Sequence, residues 1–452
     1  MSANLQLLDD AGMQSFIADG YTMVETDFAP EYHQSVYHQL KDILGGEGNP
    51  GNNLLPRVPD LQQVFDHPRV AGALTSVLGP DYYMHPHRFC HFNQPGSQGQ
   101  QLHKDSWSRR HHRPRWAMAF YYPQDTPIEL GPTGIVPGTQ YHNSLDAEAP
   151  EREVGLTGAA GTVGIVHYDL WHRAMPNSSQ DNRYMVKFLF VRLEEPEGPC
   201  WDTSGAPWAG QGQAEEAMWQ SIWEWCGGQT ANGAIGAADQ AHLLRALESE
   251  SEAAGQAAAY ALGRAGEAAV GPLVDCLRSE SEQLRRNAGY GLAAAGEAAV
   301  EALAQSCADA DLEVRRAAVD SLADMGRPGA AAVGALQRAL TDESDKVRGH
   351  AAEALGALGP LPQAGLEGLA GALTDQDEWV RRNAALGLAR QGAAAEAVQP
   401  AVAAALDDDN RYVSAKAAKT LERIGTEEAS EILFDYLFAA RWCPLTTKDT
   451  PY

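Results

Sequence analysis

Gly291-Leu292-Ala293-Ala294-Ala295-Gly296 is one of six variants of a single phrase. Ala261-Leu262-Gly263-Arg264-Ala265-Gly266 precedes it and Ser321-Leu322-Ala323-Asp324-Met325-Gly326 follows, at intervals of 30 residues. Three further copies, Ala354-Leu355 to Gly359, Gly387-Leu388 to Gly392 and Thr420-Leu421 to Gly425, come at intervals of 33. Four copies have a basic opener: Leu284-Arg285-Arg286, Val314-Arg315-Arg316, Val347-Arg348 and Val380-Arg381-Arg382. Acidic residues stand just before these openers, as in Asp342-Glu343 and Asp375-Gln376-Asp377. Each copy reads as a helix pair: Asp caps the start, Ala permits close helix approach, and Gly ends the helix in a left-handed C′ position. One such hairpin cannot bury its apolar face alone, so the copies are expected to stack into an α-solenoid.

The pattern resembles HEAT repeats, in particular the short Ala-rich kind of phycocyanobilin-lyase-like proteins, over about residues 236–440. A solenoid is a scaffold, so the resemblance implies nothing about lyase chemistry. The composition of the chain changes near residue 230. Residues 1–200 carry 14 Lys+Arg against 23 Asp+Glu, while the whole chain of 452 residues has a net charge of -26, so the repeats form the main acidic surface. That charge argues against nucleic acid and anionic membranes as partners, since both need a positive field. No apolar run is long enough to span a bilayer, and the start of the chain lacks the pattern of a secretory signal. Six scattered cysteines without a CxxC pair point to reduced thiols rather than disulfides or structural zinc. A soluble, cytoplasmic, multidomain protein is the resulting expectation.

Residues 1–200 have a different grammar. Helices are expected over 13–18 and 31–43, and strands over 82–92, 115–122, 161–168 and 184–193, where β-branched and aromatic residues lie between Gly and Pro. Many short strands with such turns favour a β-sandwich or barrel over a Rossmann sheet. No GxGxxG follows a strand and no GxxxxGK[ST] occurs, so a nucleotide cradle is not expected.

Gln101-Leu102-His103-Lys104-Asp105 places an imidazole and a carboxylate two residues apart, on one face if the segment is extended. Asp169-Leu170-Trp171-His172-Arg173-Ala174-Met175-Pro176-Asn177 supplies a second imidazole, with Arg183 eleven residues after His172. Two His and one carboxylate can form the facial triad of a non-haem Fe(II) oxygenase, leaving positions for a chelating 2-oxo acid and dioxygen. An Arg on the next strand can clamp the distant carboxylate of that acid. His167 is an alternative distal ligand but has no Arg at that spacing, and His111 and His112 are expected to line or solvate a loop.

Together with Gly131-Pro132-Thr133-Gly134-Ile135-Val136-Pro137-Gly138-Thr139, Asn93-Gln94-Pro95-Gly96 and Ser15-Phe16-Ile17-Ala18-Asp19-Gly20-Tyr21, these residues resemble the phytanoyl-CoA dioxygenase family over about residues 8–195. The resemblance implies a double-stranded β-helix (jelly-roll) with flanking helices, using Fe(II), O₂ and 2-oxoglutarate. It carries the metal ligands to His103, Asp105 and His172, and the 2-oxoglutarate contacts to Arg183 and Asn177. Where many relatives have Ser two residues past the distal His, this chain has Ala174, so another group or water must complete the clamp. Asp105 itself disfavours halogenation, for which the family places a small residue there.

The expected reaction is hydroxylation of a C–H bond in a small anionic metabolite or natural-product intermediate. Trp107, Arg109, Arg110 and Arg113, just after the metal motif, are candidate substrate contacts, with ion pairing to the acidic body as the alternative for the arginines. Two other functions stand beside this one: a protein hydroxylase whose polypeptide substrate is recruited by the HEAT repeats, and a non-catalytic scaffold with a degenerate jelly-roll. The expected organisation is a dioxygenase domain over 1–200, a Trp-rich connector over 201–235, the solenoid over 236–440 and a tail over 441–452. Met218, Trp219, Ile222, Trp223 and Cys226 form a helical stripe in the connector, expected to be a packing face that docks the solenoid beside the jelly-roll.

Overall fold

The computed structural model describes residues 4–46, 48–106, 112–210, 212–229 and 237–439. The candidate residues Trp107, Arg109 and Arg110, the end of the connector and the tail from 441 onward lie outside them. The chain forms two compact units, Met1–Gln211 with Ile222–Gln229, and Gly212–Ser221 with Thr230–Tyr452.

The first unit opens with helix α1 (Asp10–Asp19), capped by Asp9, whose Oδ1 accepts from Gly12 N at 2.7 Å. Strand β1 (Tyr21–Glu25) follows, then helices α2 (Pro30–Gly46), α3 (Leu54–Arg57), α4 (Asp60–Asp66) and α5 (Pro68–Leu78). The remaining strands are β2 (Tyr82–Asn93), β3 (Trp116–Tyr121), β4 (Thr133–Ile135), β5 (Val154–Gly155), β6 (Thr162–His167), β7 (His172–Ala174) and β8 (Arg183–Arg192). They form two antiparallel sheets, a five-stranded one in the order β1-β6-β3-β8-β2 and a three-stranded one in the order β5-β4-β7. This is the jelly-roll expected from the sequence.

Met118, Phe120, Val166, Met185 and Leu189 of the large sheet meet Ile135 of the small one in the core between the two. Helices cover the other face of the large sheet: Phe65 of α4 stacks on Phe188 with centroids 4.4 Å apart, and His33 of α2 meets Tyr121 OH at 2.8 Å. Strand β8 is buried along its whole length. A charged side chain on its inner face is therefore held in a water-poor interior.

Helix α6 (Glu216–Cys226) carries the Trp stripe, and Met218, Trp219, Ile222, Trp223 and Cys226 are all buried. Within the first unit Trp223 packs on Trp201 and Trp208, at 4.7 and 6.1 Å between centroids. Trp225 lies 5.2–5.4 Å from the guanidinium carbons of Arg113, Arg115 and Arg192.

Among the described residues the second unit contains helix Ala237–Ala246 and six helix pairs. The pairs are Glu252–Arg264 with Glu267–Cys276, Glu282–Ala294 with Val300–Ser306, and Leu312–Met325 with Val333–Ala339. The remaining three are Asp345–Ala357 with Gln363–Ala372, Glu378–Gln391 with Gln399–Ala404, and Arg411–Ile424 with Glu427–Ala439. Ser251, Ser281, Asp311, Asp377 and Asn410 cap the first helices. Acidic residues two positions before the N-cap positions Ser344, Asp377 and Asn410 do something else. Arg315, Arg348 and Arg381 donate to Asp342, Asp375 and Asp408 of the next repeat, each with Nε 2.7 Å from a carboxylate oxygen. The repeat glycines also differ from expectation. Gly425 is left-handed helical, whereas Gly266, Gly326 and Gly392 combine φ of 56–65° with ψ near -131 to -137°.

Candidate functional site

His103 and His172 are brought together by the backbone. His103 N–H donates to His172 O at 2.9 Å, and His172 N–H donates to His103 O at 3.0 Å, in an antiparallel bridge. Residues paired this way project from the same face, and the two ring centroids are 4.6 Å apart. Asp105, two residues on, returns to that face, while Lys104 turns away and donates to Gln140 O at 3.2 Å. Asp105 Oδ1 lies 3.9 Å from His103 Nε2, and its Oδ2 lies 3.8 Å from His172 Nε2.

The donor set fits a divalent metal. Nδ1 of His103 is 2.9 Å from Gln101 O, and Nδ1 of His172 is 2.9 Å from Leu170 O. A carbonyl only accepts, so each Nδ1 carries the proton and each Nε2 presents its lone pair. One donor atom from each of His103, Asp105 and His172 lies within 4.8 Å of the others, and among the described residues no other group of this kind occurs. Burial pushes the His172 imidazole down to about 4, which keeps it neutral and able to ligate. Burial raises the Asp105 carboxyl, but the Lys187 ammonium, with His172 and His103, more than reverses this and holds it at about 2.

A pocket opens beside His103 and His172, walled by Phe120 and Met185 and lined by His91, Thr133, Arg183 and Lys187. Arg183 is 1 % exposed; its Nε donates to Gly131 O at 3.0 Å, and its Nη1 has no partner among the described residues. Gly131 has φ +69°, and a Cβ there would meet Asn93 Nδ2 at 2.5 Å and Met175 O at 2.7 Å, so only glycine lets this carbonyl reach the guanidinium. Thr133 Oγ1 and His91 Nε2 are likewise buried and unpartnered among the described residues. Three unpartnered polar atoms around one pocket mark where a polar ligand would be held.

Other candidates are placed elsewhere. Asn177 is buried, but its Nδ2 donates to Asn93 O and Asp181 O and its Oδ1 accepts from Ser179, so it shapes the turn into β8 instead of lining the pocket. Arg113 lies against Trp225 and does not line the pocket either. His112, expected on a loop surface, is fully buried and meets Tyr141 edge-on at 5.5 Å. His167 packs near Tyr141, 5.9 Å between centroids, outside the metal-ligand group. Lys187, Thr133 and His91 were not singled out from the sequence. The available signal for Lys187 was a lone cation inside the apolar run 184–191.

Residues 20–185 match the phytanoyl-CoA dioxygenase family. The first unit carries an oxygenase domain of that family. Residues 300–365 and 366–440 match HEAT repeats, so the oxygenase is joined to a solenoid in one chain. The family comprises 2-oxoglutarate-dependent non-haem iron dioxygenases, and the chain is an enzyme of that class. Among solved structures, the oxygenase domain is similar to the α-ketoglutarate-dependent carbocyclase SnoK of nogalamycin biosynthesis, at 16 % identity over 41 % of this chain and 85 % of that one, with TM-score 0.36. AviO1 from Streptomyces viridochromogenes matches at 14 % identity over 41 % and 96 %, TM-score 0.35. The epimerase SnoN, solved with Fe³⁺, α-ketoglutarate and a nogalamycin, matches at 16 % over 41 % and 83 %, TM-score 0.35. No curated protein sequence matches the chain.

Proposed function

We propose that the oxygenase domain hydroxylates a C–H bond of a small anionic metabolite, with Fe(II) held by His103, Asp105 and His172 and with 2-oxoglutarate and O₂ as co-substrates. The observation that carries this reading is the convergence of two Nε2 lone pairs and one carboxylate on a single face, beside a buried guanidinium with a donor to spare. When bound, the iron supplies an open-sided centre at which 2-oxoglutarate and dioxygen react together.

The chain's own residues bind and orient. Arg183 takes the far carboxylate of 2-oxoglutarate through Nη1, while Gly131 O fixes its guanidinium through Nε. Thr133 completes the clamp. It is the direct cross-strand partner of Ala174, so its hydroxyl lies across from the position where many relatives have Ser. Phe120 and Met185 exclude water from this end of the pocket. Arg173 also lines the pocket, but Glu153 neutralises it through two bonds of 2.6 and 2.7 Å.

The charge balance supports an anionic substrate. Arg183 and Lys187 contribute two positive charges and Asp105 one negative, and the buried imidazoles His91 and His172 are held neutral. A divalent metal and a dianionic co-substrate cancel one another, leaving one positive charge in a low-dielectric site. A single carboxylate or phosphate on the substrate would match it.

Anaerobic addition of Fe(II) and then 2-oxoglutarate to the full-length protein tests the site. A weak visible charge-transfer band is expected, and with a cell metabolite extract, succinate together with a mass gain of one oxygen in an anionic small molecule. Absence of both band and succinate overturns the reading. Oxygen gain confined to peptides would shift it to a protein hydroxylase.

A further inference from the structure

Lys187 sits in the middle of β8, the only cation in a strand interior otherwise made of apolar and aromatic residues between Arg183 and Arg192. Its cross-strand partners are Phe89 on β2 and Phe120 on β3, so the stem is flanked by rings on both sides. The side chain is 9 % exposed, and Nζ lies 2.6 Å from Asp105 Oδ2. No other partner of this ammonium exists among the described residues. Glu153, the nearby buried carboxylate, is taken up by Arg173. Asp105 is therefore claimed twice: by the ammonium, and by any metal that His103 and His172 help to hold.

We propose that Lys187 competes with the metal for Asp105, and so ties metal retention to the presence of the dianionic co-substrate. The inference rests on His103, Asp105 and His172 being the metal site. An enclosed ammonium cannot move far from a metal that takes its carboxylate, and two like charges at such separation in a protein interior repel more strongly than one hydrogen bond attracts. Metal alone leaves the pocket with three net positive charges, because Arg183 and Lys187 outnumber Asp105. Entry of a dianion beside Arg183 brings this to one. Metal and co-substrate must then favour each other's binding by the same factor, and part of that factor belongs to Lys187. Lys187 is on this account a positioning and charge-setting residue, acting through Asp105 without contact to the reacting atoms.

The test is calorimetric titration of Co(II) into metal-stripped full-length protein, with and without saturating 2-oxoglutarate, at one pH. Lys187→Met is expected to bind Co(II) alone at least tenfold more tightly than the wild type. Its affinity with 2-oxoglutarate should be little changed, so the enhancement by co-substrate falls by about the same factor. Lys187→Arg, which keeps the charge, is expected to stay close to the wild type. Lys187→Gln keeps a hydrogen-bond donor for Asp105, is expected to tighten as Lys187→Met does, and carries the test if Lys187→Met fails to fold. Co(II) binding by Lys187→Met or Lys187→Gln that is equal to or weaker than wild type overturns the proposal, and would leave Lys187 a simple prop for Asp105. A different failure is recognisable: a wild type that binds no Co(II), or His172→Ala binding it unchanged, removes the metal site itself and the proposal with it.

Discussion

Thr133 illustrates how one side chain decides the behaviour of the site. Its backbone N–H is satisfied by Tyr122 OH at 3.1 Å, so the hydroxyl is not needed to build the turn. Thr133→Val keeps shape and volume and removes only the unpartnered Oγ1. A hydrogen bond to a charged group contributes roughly 1.5–3 kcal/mol, so the KM for 2-oxoglutarate should rise at least about tenfold. Thermal stability and kcat should hardly change. Steady-state kinetics with varied 2-oxoglutarate checks this, and an unchanged KM would place the co-substrate elsewhere. The contrast with His103, Asp105, His172 and Arg183 is instructive. Those four stand out in the sequence because the two-residue and eleven-residue spacings are themselves the signal. Thr133 and Lys187 became visible only through register: Thr133 opposite Ala174, and Lys187 between Phe89 and Phe120. Asn177 shows the reverse, a residue flagged by family pattern whose hydrogen bonds are all spent on the turn that delivers Arg183.

Secondary-structure elements were legible where a local rule sufficed. The long strands β2, β3, β6 and β8 begin and end within two residues of the apolar runs that mark them. The short strands β4, β5 and β7 have two or three residues each and no periodicity to read, yet they form the sheet that presents His172 and Thr133. In the solenoid the repeat was plain, but the role of its acidic residues was not, since Arg315–Asp342, Arg348–Asp375 and Arg381–Asp408 join residues 27 apart in different repeats. These pairs make a specific prediction. Arg348 and Asp375 are only 10 % and 13 % exposed, and Asp375 also accepts from Asp377 N at 2.8 Å. Truncating one partner strands the other, so Arg348→Ala should destabilise the second unit by about 2–4 kcal/mol. Asp375→Ala in addition should cost clearly less than the sum of the two single losses. Denaturant unfolding of the four proteins forms the double-mutant cycle, and simple additivity would mean that the ladder carries no coupling.

The whole molecule joins two cores that respond to different ligands. No helix among the described residues is long and apolar enough to cross a membrane. On the proposed function metal and 2-oxoglutarate bind the first unit, whereas the second carries a group that favours its protonated form, His350. Burial lowers this imidazole, but Asp320, 2.8 Å away, and Glu353, at 3.8 Å, reverse the effect and raise it to about 9. A folded-state value above the unfolded one stabilises fully below pH 6.5 and loses that stabilisation as pH rises through 9, a change of about 3 kcal/mol. Lys416 acts oppositely: burial, with Arg382 and Arg390, lowers its ammonium to about 7, so its burden on the fold is relieved as pH rises above that. The His350 contribution must therefore be read as a difference between proteins. His350→Gln should be less stable than the wild type by about 3 kcal/mol more at pH 6 than at pH 9. Hydrogen exchange resolved along the chain separates the two units. The pH-dependent loss of protection should centre on Leu312–Met325 and Asp345–Ala357, which carry Asp320 and His350. Co(II) with 2-oxoglutarate should instead protect Thr162–His167 and Arg183–Arg192, as binding to the folded state alone requires. An identical pH response in wild type and His350→Gln would show that the imidazole is not the group that holds the proton.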